Sequence, residues 1–171
     1  MLVPQIRRYA GQFAKAIVRF AQPMRHNRGM RDAVIFDMDG TLCDTTTIEH
    51  FITGADKDFH AFHAASAACP PRPKVVRAAR AEHDKGRAVL VVTSREFIWR
   101  DLTLDWLVEH GIPYDALYMR IVGDYRKDVV IKKEILAQIT DDGFTVLEAW
   151  DDKPAVIDLW RDNGIAVHVV D

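Results

Sequence analysis

The chain has 171 residues, 49% of them apolar and 28% charged, with a formal net charge of −2. That length suits a single domain with a real hydrophobic core, and that balance excludes a disordered or fibrous chain. No window reaches the ~18 uninterrupted apolar residues of a membrane span, and Cys43 and Cys69 show neither metal-ligand spacing nor a disulfide framework, so a cytoplasmic protein without a membrane span is expected.

Residues 1–31 carry seven basic side chains and no acidic one, leaving the other 140 residues with 16 basic and 25 acidic groups, a balance of −9. Within this segment Ile6, Tyr9, Phe13, Ile17 and Phe20 recur at three- and four-residue steps, which predicts an amphipathic helix. Residues 1–29 are therefore read as a basic helix and linker, suited first to packing or self-association into a homo-oligomer, second to an electrostatic contact with nucleic acid or membrane, and third to no native role. The compact domain is expected over 30–171.

From Ala33 onward short apolar runs alternate with helical stretches. Strands are predicted at 33–36, 88–93, 116–119, 145–150 and 165–170, and helices near 73–85, 97–110, 127–139 and 154–162. Such alternation argues for a parallel sheet covered by helices on both faces. Residues 43–72 are too long for a plain strand-to-helix connection and read as a small, mostly helical insertion.

In open α/β sheets ligands gather beyond the carboxyl ends of the strands. The first strand runs into Asp37, Asp39, Gly40 and Thr41; the second into Thr93, Ser94 and Arg95; a later one into Asp151 and Asp152. Asp128 and Lys132 stand four apart at the start of a helix and share a face. Each group alone has an ordinary reading as a turn, a strand end, a helix cap or a surface lysine. Together they place four carboxylates, a hydroxyl and a lysine at one rim. Clustered carboxylates repel, and a hard divalent cation relieves the repulsion. An aspartate can attack phosphorus, and a second one two residues on points to the same side and can protonate a leaving oxygen.

These residues resemble the four motifs of the haloacid dehalogenase superfamily of phosphohydrolases: Asp37-Met38-Asp39-Gly40-Thr41, then Thr93, Lys132 and the Asp151–Asp152 pair. The resemblance implies a Rossmann-like α/β fold, Asp37 as nucleophile and Asp39 as general acid and base, with Thr93 and Lys132 completing the catalytic set. It also implies Mg²⁺ held by Asp37, the Asp39 backbone carbonyl and Asp151–Asp152; of that pair we expect Asp151 to be the closer ligand. Three further stretches, "VVTSRE", "YMRIVGDYRKDVVIKKEI" and "AWDDKPAVIDLWRDNGI", are similar to the phosphatase domain of phage-type polynucleotide kinase/3′-phosphatases. That likeness assigns Thr41, Ser94, Arg95, Arg120 and Asp128 to the substrate. Two departures stand out: Thr93-Ser94-Arg95 replaces Ser-Gly-Arg, and "CDTTTIEHF" replaces a basic stretch after the first motif.

The expected activity is Mg²⁺-dependent hydrolysis of a phosphomonoester through an aspartyl-phosphate, on nucleic-acid or nucleotide 3′-phosphate ends. The rivals are a small-molecule nucleotide phosphatase and a non-catalytic phosphate-binding module. No G-x-x-x-x-G-K-[ST] occurs in the 171 residues, so no P-loop kinase motif is present. Solvated or capping roles are expected for His50, His60 and His63, and packing roles rather than base stacking for Trp99, Trp106, Trp150 and Trp160.

Overall fold

The computed structural model describes residues 17–21 and 29–171. Its centre is a six-stranded sheet in the order β1-β4-β3-β2-β5-β6, formed by β1 (Ile17–Ala21), β2 (Arg31–Asp37), β3 (Ala88–Glu96), β4 (Ala116–Arg120), β5 (Phe144–Asp151) and β6 (Ala166–Val169). The five strands β2 to β6 run parallel, and β1 adds antiparallel to the outer edge of β4.

β2 has the near-continuous apolar character of a strand buried on both faces. Val34 and Phe36 enter the core on one face, with Met119, Trp106 and Leu107. Ala33 and Ile35 enter the core on the other, with Ile131, Ile135, Ile139 and Trp160. The helices that close these cores are α2 (Pro73–Asp84), α3 (Arg100–Glu109), α4 (Asp128–Asp141) and α5 (Pro154–Asp162). Pairing of Asp37 with Val92, and of Phe36 with Trp150, sets the carboxyl ends of β2, β3 and β5 level at one rim. From β2 the chain goes on to β3 on one side, and from its other neighbour, β5, it goes on to β6 on the far side, so the connections of β2 and β5 diverge, which is where such sheets open a crevice.

Residues 43–72 rise over that rim. The two stems of this insertion pair where they leave the sheet: Asp44 N donates to Pro70 O at 2.9 Å and Arg72 N to Leu42 O at 2.8 Å. The Trp106 indole N–H, donating to Cys69 O at 2.9 Å, ties the base to α3. The insertion holds one α-helix, α1 (Phe59–Ala65), and two short 3-10 turns. It is less helical than the sequence suggested, because Thr45–Thr47, Ile52, Thr53 and Gly54 disfavour a helix. The helix starts only where the Asp58 carboxylate caps the Ala61 N–H at 2.8 Å.

The predicted N-terminal helix needs a correction at residues 17–21. These form β1, with Ile17 opposite Arg120 and Ala21 opposite Ala116. The run Ile17-Val18-Arg19-Phe20 is rich in β-branched and aromatic residues, and the free edge of β4 offers a row of backbone donors and acceptors. Residues 1–16 and 22–28, and with them the rest of that expectation, lie outside the described residues. Among the described residues no helix is long and apolar enough to cross a membrane.

Candidate active site

Beyond Asp37, the last residue of β2, the chain folds back in a tight turn: Cys43 N donates to Met38 O at 2.8 Å and Gly40 N to Cys43 O at 2.9 Å. The turn buries Met38 and brings Asp37 and Asp39 to the same cleft. Gly40 sits at φ +85°, and a Cβ there would lie 2.4 Å from Asp152 Oδ2. Glycine is needed on both counts.

Lys132 is fully buried in the apolar stripe of α4. Its ammonium donates to Asp37 Oδ1 at 2.6 Å and to Asp151 Oδ2 at 2.8 Å. Asp151 also accepts from the Trp160 indole at 3.2 Å and from Lys153 N at 3.1 Å. Asp152 accepts from the Thr41 hydroxyl at 3.1 Å. Oxygens of Asp37, Asp151 and Asp152 lie within 4.8 Å of one another. Burial pushes the Asp37 carboxyl up to about 8 against the attraction of Lys132, and Asp151 and Asp152 add to the rise. Burial and Asp151 raise Asp152 as well. The ammonium of Lys132 stays above its ordinary range, because the two carboxylates outweigh the burial that would neutralise it. An all-oxygen group this rich in carboxylate fits a hard divalent cation. Asp152 lines the cleft, whereas Asp151 is at 0% exposure.

Asp39 is held by Arg95, which donates from Nε at 2.8 Å and from Nη2 at 2.5 Å. The third arm, Nη1, reaches the Thr103 hydroxyl at 3.1 Å. Burial would raise the Asp39 carboxyl, but the charge and hydrogen bonds of Arg95 win and hold it below the usual carboxylate range. Arg95 is 1% exposed, pairs with Asp39 and also lines the cleft. Thr41 is fully buried and donates to Asp152.

The remaining expected residues meet in the cleft, whose volume is about 610 Å³. Thr93 and Ser94 line it, and the Ser94 hydroxyl is buried without a protein partner. Arg120 lines it too; Nη1 and Nη2 hold Asp124 O and Asp128 Oδ1, while its buried Nε has no partner. Orphaned donors on two lining residues suit the oxygens of an anion. Asp128 carries a second cation, Lys153, at 2.5 Å, so it orients two positive groups toward the cleft.

Several lining residues escaped sequence reading, Lys153, His63 and Trp99 among them. Lys153 follows directly on Asp151–Asp152, and that adjacency was the available signal. His63, on the insertion, places Nδ1 3.9 Å from Asp39 Oδ2. Burial holds its imidazole down at about 4, and although Asp39 favours the charged form, Arg95, Lys153 and Arg120 oppose it. Trp99 lines the cleft, whereas Trp106, Trp150 and Trp160 are buried as expected.

Comparison with known proteins adds to this geometry. The family described as polynucleotide kinase PNKP phosphatase domain matches residues 31–171. A chain of the Pnkp1/Rnl/Hen1 RNA repair complex is 26% identical, with a TM-score of 0.72 over 88% of this chain and 45% of that one. A second structure of the Pnkp1/Rnl/Hen1 complex gives 28% identity and a TM-score of 0.70 over 86% and 48%. The chain thus spans about half the length of these two relatives. A HAD-like phosphatase from Mesorhizobium loti, at 19% identity and a TM-score of 0.63 over 88% and 77%, shares the fold.

Proposed function

The chain belongs to the polynucleotide kinase PNKP phosphatase-domain family, and from that premise we propose that it is a Mg²⁺-dependent phosphomonoesterase acting on the 3′-phosphate of a nucleic-acid end. Its membership makes it a phosphatase of the haloacid dehalogenase type. The observation that carries the finer reading is the juxtaposition, at one cleft, of Asp37 on Lys132 with Asp39 on Arg95.

In this reading an Asp37 oxygen forms a bond to phosphorus as the bond to the leaving oxygen breaks. Asp39 supplies the proton that the leaving oxygen needs. Arg95 keeps that carboxyl unprotonated in the free enzyme, and the approaching phosphoryl anion opposes Arg95 and favours the proton. In the second step Asp39 takes a proton from water, the water oxygen bonds to phosphorus, and the bond to Asp37 breaks. Lys132 fixes the Asp37 rotamer and balances its charge in a dry setting. The orphaned Ser94 hydroxyl and Arg120 Nε, with Lys153, receive the phosphoryl oxygens. Asp37, Asp152, Asp151 and the Asp39 carbonyl would hold Mg²⁺, which when bound offsets the negative charge on the phosphoryl group.

The likeness to a chain of an RNA repair complex supports a nucleic-acid end. The charge balance of the domain supports a short footprint, since a long one needs a basic surface. A cleft of this volume also accepts a single nucleotide, which favours a 3′-mononucleotide as the second reading. The test is a comparison of 3′-phosphorylated oligonucleotides, 5′-phosphorylated ones and 3′-mononucleotides, with Mg²⁺ and with excess chelator. The reading expects Mg²⁺-dependent release from the 3′-phosphorylated oligonucleotide at the highest kcat/KM. Equal efficiency on the mononucleotide leaves the second reading standing, and full activity in chelator ends the metal assignment.

A further inference from the structure

The cleft lining also includes the aromatic side chains of Phe59, Phe62, Trp99 and Tyr125. Trp99 ends the 3-10 turn after β3, half-buried and open to the cleft. Its indole is fixed by two imidazoles of the insertion: His60 meets it edge-on at 4.9 Å between ring centroids and His63 at 5.6 Å. Tyr125 lines the same cleft and is 87% exposed. Its loop is anchored on both sides, because Arg126 donates to Asp124 at 2.9 Å and to Glu134 at 2.6 Å. A large ring held in water at the lip of a cleft leaves apolar area uncovered that a flat partner would cover.

The spacing orders a substrate. His63 neighbours both the acid Asp39, with Nδ1 3.9 Å from Oδ2, and the Trp99 ring, 5.6 Å away between centroids. A leaving oxygen at Asp39 puts its sugar over His63 and the attached base against Trp99. We propose that Trp99, fixed by His60 and His63, is the stacking platform for the terminal nucleobase of the substrate, and that Tyr125 covers the base from the other side. This rests on the nucleotide-end reading above and adds the means of recognition: the face of the base is read, not its hydrogen-bonding edge. Stacking of this kind accepts any base and favours purines over pyrimidines for their larger ring face.

The test uses the full chain and two oligonucleotides of equal length, each with a 3′-phosphate, one ending in a normal nucleotide and one in an abasic site. The wild type should favour the normal end in kcat/KM by about tenfold or more, mostly through KM. In Trp99→Ala that preference should fall toward unity, in Trp99→Phe most of it should survive, and in Tyr125→Ala, at an exposed position, part of it should be lost. Equal efficiency of the wild type on the two ends overturns the platform while leaving the nucleotide-end reading intact. So does a Trp99→Ala loss that is the same on both ends, which marks a structural role. A wild type that hydrolyses an aryl phosphate but neither oligonucleotide overturns the nucleotide-end reading and the platform with it.

Discussion

Replacing Arg95 with lysine separates two roles that the sequence alone left merged. In the structure its guanidinium grips Asp39 through two N–H groups and Thr103 through a third, with the side chain at 0% exposure and Asp39 at 16%. Lysine keeps the charge but not the fork, so one charge-assisted hydrogen bond to Asp39 is lost, a change of about 1.5–3 kcal/mol. If that bond fixes the acid in the transition state, kcat should fall by about 10- to 100-fold, with KM nearly unchanged. Arg95→Ala goes further. With its field gone, burial pushes the Asp39 carboxyl upward, so the limb of the kcat profile that reports Asp39 should move to higher pH. Steady-state kinetics of both variants across pH, on one 3′-phosphorylated oligonucleotide, read both effects. A rise in KM with kcat intact and the limb unmoved would refute the positioning role and restore Arg95 as a substrate clamp.

Thr41→Val removes the hydroxyl that orients Asp152, and the Mg²⁺ needed for half-maximal activity should rise by about 10-fold or more; an unchanged Mg²⁺ titration counts against that orienting role. Gly40→Ala should move the requirement the same way, because its Cβ would meet Asp152 at 2.4 Å; an unaltered requirement there means that the turn relaxes freely. His63→Gln addresses stability. Burial holds His63 near 4 in the fold against 6.5 when free, so the unfolded chain takes up a proton first and stability falls as pH drops from 6.5 to 4. The full fall is about 3 kcal/mol, and above pH 6.5 this contribution does not change. Urea midpoints from pH 7.5 to 4.5 should decline less in His63→Gln than in the wild type, and parallel curves would contradict the burial argument.

The sequence made the sheet legible because β2 to β5 are short apolar runs between helical patterns, and burial on both faces leaves that mark. The candidate carboxylates were legible for the same reason: charges at the end of a buried strand need a partner. Three things were not. Ile17 and Phe20 fit a helical period and a strand equally well over so short a run, and the free edge of β4, a tertiary feature, decided for the strand. Arg95 looks the same in sequence whether it faces a phosphate or a neighbouring carboxylate; only the arrangement of the Asp39 turn shows the pairing with Asp39. Trp99 has the local surroundings of a packing residue, and it reaches the cleft because the insertion, which has little periodicity of its own, folds two histidines onto it.

The most direct measurement of the covalent route is a rapid acid quench of the enzyme turning over a phosphomonoester with a labelled phosphoryl group and a good leaving group. The label should be found on the peptide that contains Asp37, and Asp37→Asn, nearly isosteric and still able to contact Lys132, should show neither label nor turnover while keeping the wild-type fold. Turnover by Asp37→Asn at the wild-type rate, or label on another residue, would contradict the account.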